Sequence, residues 1–325
     1  MDPRPVLNEL TVRYSLSPAA AEQLHALVRR TAEPADLRRS LPLGIAVLAA
    51  TLAGMGLVFW LAANWEGMGR SSKFGLLQGL LAVLCAGAIL IPRSRIPLGL
   101  LAFITIGGLF AFFGQTYQTG ADAWQLFALW AVLSLPLCLG VRHDSLWAPW
   151  ALIVMTAVTL WLHAHVGFDW QNRPGRLPLH LIAWCASVLL VFALSPLLRQ
   201  HTGAGIWAMR TALTCTATLL TVTALDFLFD DFSNLLPYAL ALAIFGAAAF
   251  AFCTRTLHDT FALSALGLGL NVMLVALLVK ILFKDRKLDE IVALAIVGAA
   301  AAALLACTVH LILTQARRHG QGARA

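Results

Sequence analysis

Apolar residues gather in ten long runs, near 41–63, 74–92, 96–114, 123–141, 145–163, 177–198, 211–229, 235–253, 261–283 and 290–314. Each is close to the roughly 20 residues that a helix needs to cross about 30 Å of hydrocarbon. Inside lipid, every backbone N–H and C=O has to be satisfied within its own segment, so these runs predict helices rather than open strands. The polar connections between them are short, which makes successive helices antiparallel neighbours. The expected fold is all-α, a polytopic transmembrane helix bundle of about ten spans. Residues 1–40 are expected to be a cytosolic N-terminal helical segment, 41–314 the bundle and 315–325 a basic cytosolic tail. In the first segment, Ser17 followed by Pro18 has the form of an N-cap with proline at the first helical position, opening a helix to about Arg30.

Composition strengthens the membrane reading. Of the 325 residues, 60% are hydrophobic and 12% charged, against about 45–50% and 25% in a soluble domain. The net charge of +7 does not point to nucleic acid, because the basic residues sit in short clusters between apolar runs. With the N-terminus inside, fifteen of the 23 Lys and Arg residues fall on the inner side, including Arg38, Arg39, Arg93, Arg95, Arg142, Arg199, Arg210, Arg317 and Arg318. Eight fall outside, among them Lys73 and the Lys280–Lys287 group. The positive-inside bias therefore places both termini in the cytoplasm. The six cysteines occupy six different runs with no CxxC pair, and they read as small buried hydrophobes.

Polar residues that share the outer side carry whatever chemistry the chain has. Asn64, Trp65 and Glu66 end the first run, with Lys73 soon after. Gln115, Tyr117, Gln118 and Asp122 join the third and fourth runs. Asp226 and Lys280 lie near the outer ends of the seventh and ninth. Ionisable groups at membrane depth are functional candidates by default. Structural roles compete for several of them. Asp122 with Gln125 has the spacing of a capping box for the fourth helix, and Asp226 with Lys280 could form an ion pair. Gln115 and Gln118 would share a face if the third helix continues. His143 and Asp144 are read as a cap in an inner turn, and Trp147 and Trp150 as interfacial belt residues. In the ninth run Ala265 and Gly269 have small-xxx-small spacing, with Gly267 on another face, and Gly298–Ala303 allows close helix approach. His163, His165 and Asp169 in one outer loop match no established metal-ligand spacing. No phosphate loop, nucleophile elbow or HExxH motif is present, so no reaction, cofactor or metal is read from the residues.

Leu61-Ala62-Ala63-Asn64-Trp65-Glu66 followed by Lys73, and Gly114-Gln115-Thr116-Tyr117 with Asp122 and Leu126–Trp130, resemble a known family. It is the bacterial predicted membrane proteins catalogued as domain of unknown function 2157, and the likeness is clearest over residues 1–145. The resemblance implies a bacterial inner-membrane protein and brings no activity with it. The expected partners are the lipid bilayer and a membrane protein. A structural or interaction role in the cell envelope is the first functional expectation. The alternative is a small-molecule transporter or channel with an outer-facing polar site. The few polar residues at the bilayer midplane, Gln78, Thr156, Thr214 and Asn271, weigh against it. A membrane-embedded hydrolase using Glu66 or Asp226 comes third.

Overall fold

A computed structural model describes residues 9–11, 13, 14, 16, 17, 20, 21, 35–63, 69–117, 120, 122–166, 177–230, 235–254, 257–284 and 289–322. Ten long helices run through them: α1 Ala35–Ala63, α2 Arg70–Leu90, α3 Arg95–Tyr117, α4 Ala123–Val141 and α5 Asp144–Val166, then α6 Leu177–Ala193, α7 Ile206–Asp230, α8 Leu236–Cys253, α9 Thr260–Lys284 and α10 Glu290–Gly322. Every apolar run of the sequence coincides with one of them, and the described residues form no strand. Eight helices are long and apolar enough to cross a membrane, or nine if α6 and the bent piece after it count as one span. The remaining helix, α1, shows a shorter apolar stretch at Leu41–Leu57.

The bend after α6 has a local cause. Proline has no N–H to donate and disfavours helical backbone in the residue before it. Ser195, just before Pro196, accordingly takes φ −68°, ψ 160°. The chain turns by 55° there and continues as a 3-10 turn at Pro196–Leu198 and one α turn at Arg199–Thr202. The run expected to be a single span at 177–198 is therefore a helix and a separate cap on the bundle end.

Two helices organise the packing. α3 packs against α1, α2, α4 and α5, and α7 against α5, α6, α8 and α9, while α4 pairs with α5 and α8 with α9. The second arrangement repeats the first at an offset of four helices, although the sequence shows no evident repeat. α5 belongs to both groups and joins them. α10 packs chiefly on α9.

The main core lies around α5–α9, where Trp147, Trp184, Met209, Leu220, Phe245 and Met273 are fully buried. Mid-depth hydroxyls that would be costly in hydrocarbon donate to carbonyls one turn back in their own helices. Ser134 reaches Trp130 at 2.6 Å, Ser187 reaches Ala183 at 2.7 Å and Thr223 reaches Leu219 at 2.7 Å. Tyr238 crosses from α8 to the Met273 carbonyl of α9 at 2.7 Å.

The expected packing glycines divide. A Cβ on Gly269 would stand 2.6 Å from Phe245 of α8, and one on Gly267 the same distance from Thr308 of α10, so the two serve different faces as expected. Gly298 faces open space instead, so it supports no close approach among the described residues. Trp147 and Trp150 also depart from expectation. Neither is an interfacial belt residue, because their indole N–H groups donate to the carbonyls of Thr202 at 3.1 Å and Ala131 at 2.8 Å.

Candidate functional site

At the end of the bundle carrying the C-terminus of α3, the first turn of α2 meets the last turns of α3. The Phe74 and Phe112 rings stand 4.4 Å apart and hold the first turn of α2 against the last turns of α3. This contact places Lys73, only 6% exposed, beside the helix end that carries Gln115 and Tyr117. Gly114 completes the approach, since a Cβ there would come within 2.9 Å of Leu126 in α4. Asn64, Trp65, Glu66 and Gln118 lie outside the described residues, as do the side chains of Gln115 and Tyr117.

Asp122 occupies the N-cap position of α4, with φ −62° and ψ 145°, but its side chain makes no capping bond. The Gln125 N–H donates to the Asp122 main-chain carbonyl at 3.0 Å. The expected capping box is therefore replaced by a backbone closure that leaves the carboxylate exposed to water. Asp226 and Lys280 form a separate group. Lys280 of α9 donates to the Leu228 carbonyl in the last turns of α7, the same end that carries Asp226. α7 and α9 pack chiefly against α5, α6, α8, α10 and each other, so among the described candidates Lys73 and Asp122 belong to an α2–α4 end and Asp226 and Lys280 to an α7–α9 end. At this end His165 also sits among rings, 4.8 Å from Trp161 and 6.2 Å from Trp124. No group of three possible metal ligands occurs among the described residues.

The opposite end carries the better-defined polar architecture. Gly205, at the N-cap of α7, has no side chain with which to satisfy the first N–H groups of that helix. The carboxylate of Asp144 does so from 61 residues away. It accepts from Gly205 at 2.7 Å, Trp207 at 3.0 Å and Ala208 at 3.4 Å. Negative charge at a helix N-terminus also opposes the positive end of the macrodipole. Of the His143-Asp144 pair expected to cap this turn, His143 does so, its Nδ1 accepting from the Ser145 N–H at 3.2 Å, while Asp144 serves α7 instead.

Beside this contact, Arg142 ends α4 in the left-handed region at φ 55°. Its guanidinium donates to the Gln200 carbonyl. It faces Gly203, itself at φ 70°, where a Cβ would stand 2.5 Å from that of Arg142. One turn into α7, Arg210 forms a two-pronged ion pair with Asp259, with both N–O distances 2.9 Å. The guanidinium lies 5.2 Å from the Trp207 ring and 5.1 Å from the Phe261 ring. Asp259 also accepts the Phe261 N–H at 3.0 Å, capping α9. Burial alone would raise the pKa of this carboxyl, but bonds from Arg210 and the backbone outweigh it and hold the pKa below its ordinary value.

A third feature is a cavity of about 550 Å³ between α2, α3 and α4. Leu81, Cys85, Ala88 and Ile89 form one wall, and Leu133, Pro136, Leu137, Gly140 and Val141 the other. Ile106, Leu109 and Phe110 of α3 form the floor. Arg95 stands at one end and is the one charged residue of this lining.

The α2–α4 polar group, the cavity and Asp144 lie within the part of the chain that matches a known family. Residues 9–147 match the family described as Predicted membrane protein (DUF2157). The matched DUF2157 region contains α1–α4, the start of α5, the α2–α4 polar group, the cavity and Asp144. It agrees closely with the 1–145 range over which the sequence resembles that family. The N–H groups that Asp144 caps lie beyond the match. No curated protein and no solved structure matches the chain. The DUF2157 description and the apolar helices together make this a multi-helix membrane protein in contact with the bilayer.

Proposed function

We propose that the chain is a structural or interaction protein of the bacterial inner membrane, with both termini in the cytoplasm. In this reading 1–40 and the basic tail 315–325 are cytosolic segments presented to a membrane-protein partner, and 41–314 is the bundle that anchors them. One observation carries it: several polar groups at mid-depth already hydrogen-bond within the bundle. Thr156 and Thr214 donate to carbonyls of their own helices at 2.8 Å, Thr308 of α10 bonds Asn271 of α9 at 3.1 Å, and Trp184 of α6 donates to Thr223 of α7 at 3.0 Å. A polar solute would have to break these bonds to cross. The bent segment after α6 lies at a bundle end, whereas transporter sites use helices broken near the midplane.

The described part of the 1–40 segment fits a helical reading. Ser17 Oγ accepts the Ala20 N–H at 3.3 Å, the N-cap geometry expected of that residue. The competing reading, an outer-facing site for a small solute, draws its support from Lys73, a buried lysine at the end where α3 closes. Flux measurements on the full chain in proteoliposomes separate the two, using sugars, amino acids and inorganic ions. The interaction reading expects rates equal to those of protein-free vesicles. Saturable flux that Lys73→Met abolishes would overturn it in favour of transport.

A further inference from the structure

The cavity between α2 and α4 has the shape and polarity of a lipid site. α3 packs against both helices, whereas α2 and α4 are not themselves a closely packed pair. This leaves a trough with α3 as its floor. Small or truncated side chains, Ala88 on one wall and Pro136 and Gly140 on the other, leave it unfilled. Its volume of about 550 Å³ falls in the ~300–1,000 Å³ range of small-ligand sites. Apart from Arg95 and the Cys85 thiol, its walls are hydrocarbon.

The dimensions fit one leaflet. Ile106 lies eleven residues beyond Arg95 on α3, or about 16 Å at the helical rise. Half of the hydrocarbon core is about 15 Å. An acyl chain lying along the floor would therefore bring its headgroup to Arg95. That residue is held there, because its Nε donates across the α2–α3 turn to the Ala88 carbonyl at 3.3 Å. Its remaining guanidinium N–H groups have the fork geometry that suits a phosphate. Arg93 on the intervening 3-10 turn adds a second, exposed positive charge nearby. Basic pockets between membrane helices bind anionic headgroups by this combination of charge and apolar wall.

We infer that the α2–α3–α4 trough binds one anionic phospholipid, with its phosphate on Arg95 and an acyl chain along Ile106, Leu109 and Phe110. The inference is independent of whether the protein has an interaction role or transports a solute.

Native mass spectrometry of the full-length protein in detergent tests it. The probes are palmitoyl-oleoyl phosphatidylglycerol and the phosphatidylcholine with identical tails. The first bound phosphatidylglycerol should be retained about tenfold more tightly than phosphatidylcholine, as expected for a charge-assisted contact. Arg95→Gln should remove the preference while leaving tail binding, and Arg93→Gln should leave it largely intact. Ala88→Phe should lower occupancy by either lipid. A folding-independent reading comes from a variant retaining Cys85 as its sole cysteine, in which phosphatidylglycerol should slow labelling by a membrane-permeant maleimide. Equal retention of the two lipids, a preference surviving Arg95→Gln, or labelling of Cys85 unaffected by phosphatidylglycerol would each overturn the assignment.

Discussion

The sharpest test of the packing scheme is the contact between Asp144 and the start of α7. Asp144→Ala removes the acceptor of three N–H groups, two at 2.7 and 3.0 Å and one at 3.4 Å. Loss of a helix cap costs about 1–2 kcal/mol, and loss of a favourable charge at the N-terminus about 0.3–1 kcal/mol more. The expected destabilisation is therefore about 1–3 kcal/mol. Gly205→Ala should cost a similar amount by a different route. Gly205 is not in the left-handed region, so alanine meets no backbone penalty there, but its Cβ would lie 2.2 Å from Asp144 Oδ2 and expel the carboxylate. If both changes act through the one contact, the second does little once the first is made. Gly205→Ala in the Asp144→Ala background should then shift stability by no more than about 0.5 kcal/mol, giving a coupling of about 2 kcal/mol. Reversible unfolding in mixed micelles with increasing SDS, followed by tryptophan fluorescence, measures all four corners of the cycle. Additivity of the two single changes to within about 0.5 kcal/mol would refute the reasoning.

Three further outcomes follow from other parts of the bundle. Because the Asp259 pKa is held below its ordinary value of 3.8, the ion pair with Arg210 contributes fully above that pH. Its contribution falls as pH drops through the lowered folded pKa, where the unfolded chain already holds the proton. Thermal midpoints between pH 2.5 and 6 should decline at the acid end in the wild type and decline less in Asp259→Asn; identical profiles would contradict this. Gly107→Ala should destabilise by about 2 kcal/mol or more, in the range of overpacked cores, because its Cβ would stand 2.4 Å from Trp130, whose indole donates to the Phe103 carbonyl at 3.0 Å. SDS unfolding of Gly107→Ala and of Gly79→Ala, where a Cβ meets nothing within 4 Å, should differ by that amount. Reporter fusions after Asp122 and after Asp231 should both report an extracytoplasmic location, and a cytoplasmic signal from either would break the proposed topology.

What could be read in the sequence, and what could not, follows from the range of the forces involved. Helix positions were legible because hydrocarbon thickness sets a length and backbone hydrogen bonding sets a geometry, both local to a run of about 20 residues. That is why α2 to α5, α8 and α9 begin and end within a few residues of their apolar runs, while α10 runs eight residues past its own, to Gly322. The break after α6 was also local, marked by Ser195-Pro196, but hydropathy averages over it because Leu197 and Leu198 keep the run apolar. Gly267 and Gly269 were legible as packing positions since a missing side chain on a helix face has few uses in lipid. Polar residues were harder. Hydropathy reports how deep a side chain lies, and its partner can come from any helix that reaches the same depth. Asp144 sits where a cap for its own turn would sit, so nothing local reveals that it serves the start of α7. Trp147 and Trp150 sit near a span end, the depth of an aromatic belt, yet each indole N–H finds a carbonyl inside the bundle.

Polar groups left unengaged by packing are where function should be sought. Asp122 looked like a committed cap and is not one: its carboxylate is exposed beside the α2–α4 end that also holds Lys73. Asp144 looked like a local cap and instead ties the DUF2157 region to the C-terminal half. A polar side chain that is already consumed by packing has little left to offer a partner or solute, whereas one whose structural duty has passed to the backbone is available. By that criterion the α2–α4 end gains weight through Asp122, and the opposite end, where Asp144, Arg210 and Asp259 are engaged in helix capping and ion pairing, loses it. Arg95 differs from those three because only its Nε is bonded within the α2–α3 turn, leaving the rest of the guanidinium at the mouth of an apolar trough. Among the described residues, Asp122 and Arg95 are two groups with chemistry to spare, both on α2, α3 and α4 or their turns within the region matched to DUF2157, and substitutions there should affect binding more than folding.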